Sequence, residues 1–107
     1  MIRIGSILGL KEESYEIYKK THANYWPELK ELLHKFHFQN FTIFYRKGTL
    51  FSYYEYVGNN YKEDLLNWQK CELVRAWNEE MRKHQIQIPD SPPGDWWVEL
   101  DEAFHAD

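Results

Sequence analysis

The sequence predicts an α+β fold of the ferredoxin-like split βαβ type: an antiparallel four-stranded sheet with helices on one face, in the order β-α(α)-β-β-α(α)-β. Three observations predict it. Apolar spacing switches between every second position and every third or fourth position in that order. A Lys47-Gly48 turn signal joins the two middle strands into a hairpin. Prolines fall at joints: Pro27 divides one helical stretch, and Pro89, Pro92 and Pro93 crowd a single loop.

Residues 2–9 alternate weakly, with Ile2, Ile4, Ser6 and Leu8 on one face and Arg3, Gly5, Ile7 and Gly9 on the other. They predict a first strand with a tightly packed small-residue face. From Glu12 to about Thr21 the pattern is helical, and Tyr15, Tyr18 and His22 share a face. Pro27 lacks an amide donor and disfavours helix at Trp26, yet suits the first position of a new helix. Leu29, Leu32, Leu33 and Phe36 form the apolar stripe of that helix. Residues 40–46 and 50–57 read as the hairpin strands. Phe41, Ile43 and Tyr45 lie on one face and Thr42 and Phe44 on the other. A sheet with bulky residues on both faces needs cover on both. Helices supply one cover, and a second subunit is the natural other. Asn59-Asn60 signals a cap before a mostly helical stretch reaching about Lys83. Leu65, Leu66 and Trp68 belong to its first part; Leu73, Val74, Trp77 and Met81 stripe its second. Residues 85–95 predict a long loop. Residues 96–104 predict a last strand, with Trp96, Val98 and Leu100 opposite Trp97, Glu99 and Asp101.

A chain of 107 residues is expected to form one domain, residues 1–107. Its 18% aromatic content reads equally as core filling and as a pocket or interface lining. The net charge is −4 and basic residues are interleaved with acidic ones, so neither nucleic acid nor an anionic membrane is expected as partner. The lone Cys71 cannot close an internal disulfide, which suits a reducing compartment. The apolar start is too short and broken for a signal peptide, and no apolar run approaches the ~20 residues of a membrane span. These features predict a cytoplasmic protein.

No Gly-rich phosphate loop and no CxxC pair is present, so no cofactor is expected. His34 and His37 lack an accompanying acidic ligand pattern and read as surface residues, so no metal is expected either. Cys71 reads as a structural thiol rather than a nucleophile. His22 stands apart, at a helix end beside the bend forced by Trp26-Pro27, where a pocket can open. An imidazole with a pKa of about 6.5 gives and takes protons at neutral pH. The same position also fits a capping histidine packed on Trp26. Glu55 interrupts an aromatic strand, with Tyr53 pointing the same way. Burial would raise its pKa and make it a second proton carrier; an ion pair with Arg or Lys is the equal alternative. Trp77 fits the helix stripe, and its indole face also suits stacking on a sugar ring.

Residues 18–29, YKKTHANYWPEL, resemble the signature Y-x-x-x-H-x-x-x-W-P-E of the L-rhamnose mutarotase family, here Tyr18, His22, Trp26, Pro27 and Glu28. The likeness extends to the Met1-Ile2-Arg3 start, Asn40-Phe41, Leu50, Phe51, Glu55 and Trp77. The ending PPGDWWVELDEAFH also resembles a related L-fucose mutarotase branch. The resemblance implies a dimeric α/β barrel of two ferredoxin-like subunits, and interconversion of the anomers of a free deoxyhexose such as L-rhamnose. It implies His22 as proton donor and Tyr18, Phe41, Trp77 and Trp26 as sugar-binding residues. The chain departs from the family pattern at Phe41, where a Tyr is typical, and at Ala76, where a Trp precedes the residue matching Trp77. L-fucose mutarotation, a non-catalytic sugar-binding module and a cofactor-independent monooxygenase are the alternatives.

Overall fold

The computed structural model describes residues 1–107. Strand β1 (Ile2–Leu10) leads through a 3-10 turn at Glu12–Ser14 into α1 (Tyr15–Ala23) and α2 (Pro27–Lys35). The hairpin β2 (Phe38–Arg46) and β3 (Thr49–Tyr56) follows, then α3 (Tyr61–Lys70), α4 (Glu72–Arg82), β4 (Gln85–Ile86) and β5 (Val98–Leu100). β1 is central and pairs antiparallel with β3, which pairs antiparallel with β2.

The other edge of β1 differs from the expected single last strand. Gly9 and Leu10 pair with β4, and Gly5 to Ile7 pair with β5, so two short strands share the fourth position. The expected 85–95 loop therefore starts with a strand, and the expected 96–104 strand shrinks to Val98–Leu100. Gly9 allows the first pairing: a Cβ there would lie 2.6 Å from the Ile86 carbonyl oxygen. Beyond Leu100 a side chain takes over from the ladder, as Arg3 donates two hydrogen bonds to Glu102 at 2.8 and 3.0 Å. Alternation along 96–104 encodes two facings, but not how far the backbone stays paired.

The β2–β3 turn has positive φ at both Lys47 (42°) and Gly48 (83°), the conformation that matches strand twist in a two-residue hairpin. A bulge between Gln39 and Thr42 sets two β2 residues against Tyr54, with Asn40 at φ 54°. Inward positions are Ile4, Ser6, Leu8 and Leu10 of β1 and Leu50, Ser52 and Tyr56 of β3, all buried. The helices cover this face. Leu29 of α2 and Val74, Trp77 and Met81 of α4 join Leu8, Leu10, Tyr18 and Leu50 in the main core cluster. Leu65 and Trp68 of α3 pack on a second cluster of Ile4, Phe38 and Tyr56, while Leu66 faces solvent.

Both helical stretches break once. Trp26 is extended (φ −61°, ψ 124°), as the clash with the following proline ring dictates, and Pro27 opens α2, where its missing donor costs nothing. Cys71 is extended in the same way (φ −64°, ψ 130°), without a proline or glycine to signal it. Asn60 caps α3, its side chain accepting from the Glu63 amide. The outer sheet face carries Phe44, Phe51 and Leu100, at 62, 40 and 48% exposure. No helix is long and apolar enough to cross a membrane.

Candidate active site

A cavity of about 450 Å³ lies between the inner sheet face and the helices. A second hollow of about 660 Å³ shares Tyr18, His22, Tyr25 and Phe41 with it, so the two meet at His22. Such volumes suit a small ligand.

His22 sits in the last turn of α1. Its Nδ1 is 2.9 Å from the Tyr18 carbonyl oxygen. A carbonyl only accepts, so Nδ1 carries hydrogen and Nε2 is left for proton exchange. Tyr18 and Trp77 pack on the ring, at 4.4 Å and, edge-on, 5.2 Å between centroids. Burial in this aromatic nest lowers the His22 pKa from its ordinary value; the Tyr18 carbonyl opposes the shift with a smaller effect. The charged imidazolium is thus a stronger acid than a solvated one.

The Tyr18 hydroxyl accepts from Gln85 Nε2 at 3.0 Å, which leaves its own proton to donate. Burial pushes its pKa up to about 12, against the weaker opposing effect of Gln85. Trp77 is buried between the edges of Tyr25 and Trp26, each 5.0 Å away. Phe41 lines both hollows.

Tyr18, His22, Phe41 and Trp77, named from sequence, thus line one cavity. Trp26 does not line it and stands behind Trp77 as a support. Ala76 lies on the exposed side of α4. The structure does not bring Glu55 to His22. Side chains alternate across a strand, and Ser52 and Tyr56 are buried inward, so Tyr53 and Glu55 point to the outer face. There Glu55 accepts from Tyr53 Oη (2.7 Å), Gln39 Nε2 (2.9 Å) and Asn40 Nδ2 (2.7 Å). Those bonds, Tyr53's first, lower its pKa, the reverse of the rise expected of a buried acid. Sequence reasoning missed Tyr25, Tyr54, Asn78, Gln85, Trp97 and Glu99, which also line the cavity. Tyr54 was accessible through the parity of β3. Gln85 and Glu99 needed knowledge of which loop segments return to β1.

Residues 3–106 match the family model described as L-rhamnose mutarotase. The chain belongs to the L-rhamnose mutarotase family. It is 31% identical to an L-rhamnose mutarotase of Lactiplantibacillus plantarum, over 100% of both chains. A crystal structure of an L-rhamnose mutarotase from Formosa agariphila superposes with a TM-score of 0.79 at 28% identity, covering 100% of each chain. Tetracenomycin F2 cyclase of Streptomyces glaucescens superposes with a TM-score of 0.72 over 100% of both chains; at 15% identity this shows the fold alone. Membership makes the chain a sugar mutarotase, an isomerase, on a ferredoxin-like α+β fold of the dimeric-barrel type. The relatives do not favour the L-fucose or non-catalytic alternatives.

Proposed function

We propose that the chain interconverts the α and β anomers of L-rhamnose in the cavity at His22. The observation that carries this reading is the His22 ring itself. Its Nδ1 is fixed on the Tyr18 carbonyl, so Nε2 is free for proton transfer inside an aromatic cavity.

Protonated His22 gives its Nε2 proton to the ring oxygen as the C1–O5 bond breaks, the electron pair going to O5. The anomeric hydroxyl loses its proton to a base, and C1=O1 forms. The open-chain aldehyde turns about C1–C2 and closes on its other face, each proton returning. Desolvation strengthens the acid, and acid–base assistance of this kind is worth about 10²–10⁴-fold. Tyr18, with its proton available, orients a sugar oxygen. Trp77 and Phe41 supply apolar wall for the C–H side of a deoxysugar.

The same reading makes the chain a single-domain cytoplasmic homodimer. Its single free cysteine fits a reducing compartment. A second copy would cover Phe44, Phe51 and Leu100 on the open sheet face. Sedimentation equilibrium tests the dimer: twice the 13.1 kDa monomer mass supports it, and the monomer mass refutes it.

Proton NMR saturation transfer on equilibrated L-rhamnose, then L-fucose, tests the activity. Faster exchange of rhamnose supports the assignment. Acceleration of fucose alone would replace the sugar, and acceleration of neither would overturn the reading.

A further inference from the structure

Three side chains lead from the cavity wall towards solvent. Tyr54 Oη is 2.8 Å from Tyr61 Oη, and Tyr61 donates to the Glu99 carboxylate. A phenol has one proton. With Tyr61's committed to Glu99, its oxygen accepts from Tyr54, and the Tyr54 oxygen keeps its own acceptor capacity unused.

The sheet register brings these residues together. Tyr54 pairs with Ile4 and Glu99 with Ser6, neighbouring inward positions of β1. Tyr54 and Glu99 line the cavity that also holds His22. His22 enters from the helical layer and Tyr54 from the sheet. Glu99 takes part in none of the chain's ion pairs and is open to solvent at the outer end of the row. Burial pushes Tyr54 up to about 12 and raises Tyr61 as well, so both phenols stay neutral and pass protons without holding charge.

We propose that Tyr54, Tyr61 and Glu99 form the base arm of this site, receiving the proton of the anomeric hydroxyl while His22 protonates the ring oxygen. The proposal rests on mutarotation at His22. As the O1–H bond breaks, its proton passes to Tyr54 Oη, Tyr54's proton to Tyr61 Oη, and Tyr61's to Glu99. The electron pair released at O1 becomes the second bond of C1=O1, and the C1–O5 pair goes to O5 with the proton from His22. The total proton count is unchanged, and ring closure runs the transfers backwards. Tyr54 touches the sugar and is catalytic. Tyr61 and Glu99 act through it and are positioning residues. This arm fills the role that Glu55, on the opposite sheet face, is not placed to fill.

The test compares Tyr61→Phe, Glu99→Gln and their double variant with the wild-type chain, using L-rhamnose exchange by NMR across a sugar titration. Each single variant is expected to lower kcat by about 10²-fold, the lower end for loss of one acid–base arm, with KM unchanged. The double variant is expected to lose no more than either single one, because a broken relay cannot be broken twice. Glu99 is exposed, so Glu99→Gln retains the fold and keeps the test decisive if Tyr61→Phe does not fold. A kcat within about twofold of wild type, a change confined to KM, or losses that multiply would each overturn the relay. His22→Asn, run alongside, separates the two readings. Loss there with full kcat in Glu99→Gln sinks the relay alone. Absent exchange in the wild type, or full exchange in His22→Asn, sinks the relay together with the reading beneath it.

Discussion

Replacing His22 by Asn isolates proton transfer from packing. The Asn amide can still donate to the Tyr18 carbonyl, which in the native chain accepts from His22 Nδ1 at 2.9 Å. The group that occupies Nε2 is lost. His22 is half-buried and Asn keeps its one hydrogen bond, so the stability cost is the lost ring packing on Tyr18 and Trp77, about 1 kcal/mol. The catalytic loss is far larger. General acid–base assistance of about 10²–10⁴-fold corresponds to about 3–5 kcal/mol of barrier, at 1.36 kcal/mol per tenfold. Exchange should therefore fall by at least 10²-fold while the urea midpoint moves only slightly. The pH profile gives an independent check. His22 acts as donor and its pKa is lowered, so kcat/KM should fall as pH rises through a value below the ordinary 6.5. Saturation transfer on L-rhamnose reads both quantities. Equal rates in variant and wild type would refute the assignment. A limb that rises with pH through that value would make His22 the base.

Protonation of His22 also couples to folding. Its folded pKa is lowered, so the unfolded chain binds the proton more tightly; the stabilisation is complete above pH 6.5 and is lost as pH falls towards the lowered folded value. Urea midpoints measured across that window should decline in the wild type and flatten in His22→Asn. Gly9→Ala places a Cβ 2.6 Å from the Ile86 backbone oxygen, which cannot swing aside as a side chain would. It should cost about 1–3 kcal/mol, as overpacking does, and a melting point equal to wild type would show that β4 is not held this closely. Phe44→Glu puts a charge on the open sheet face, where Phe44 is 62% exposed and pairs with Phe51. It should shift sedimentation towards the 13.1 kDa monomer without loss of helical circular dichroism, and an unshifted dimer would place the interface elsewhere. Ser52→Leu projects a larger side chain into the cavity from its floor. KM for the sugar should rise at least tenfold with the melting point nearly unchanged, and a wild-type KM would show that sugar does not reach this floor.

Much of this architecture is written in periodicity. The breaks at Trp26-Pro27 and the turn at Lys47-Gly48 are stereochemical necessities, so the sequence displays them at the right residues. The break at Cys71 has no such mark: the residue is extended between two helices with no proline or glycine beside it. The fourth strand position was legible as a strand but not as two pieces, because local alternation carries no information about which part of β1 lies alongside. Glu55 shows the same limit at a site. Its chemistry was suggestive, yet strand parity decides its face, and the buried Ser52 and Tyr56 put the odd-numbered residues of β3 outward. His22 was legible because helix end, proline bend and titratable ring coincide within a few residues.

The cavity follows from two departures from regularity. On the sheet floor, Ser6 and Ser52 are direct cross-strand partners, both buried. They are small where the flanking pairs are Leu8 with Leu50 and Ile4 with Tyr54. A well-packed interior would fill such a position with a larger side chain. Here the missing volume is part of the hollow, since both serines line it. In the layer above, the breaks at Trp26 and Cys71 replace two long helices by four short ones of 9 to 11 residues. Short helices bring their ends over the sheet, and His22 in the last turn of α1 and Gln69 in the last turn of α3 reach the cavity from such ends. At a helix end the chain turns away, so a side chain there can be fixed on its own helix and still face open space. His22 does both, with Nδ1 on the Tyr18 carbonyl and its ring on the cavity wall. The floor makes the room and the breaks aim the ring, so a change in either should alter sugar turnover before it alters the fold.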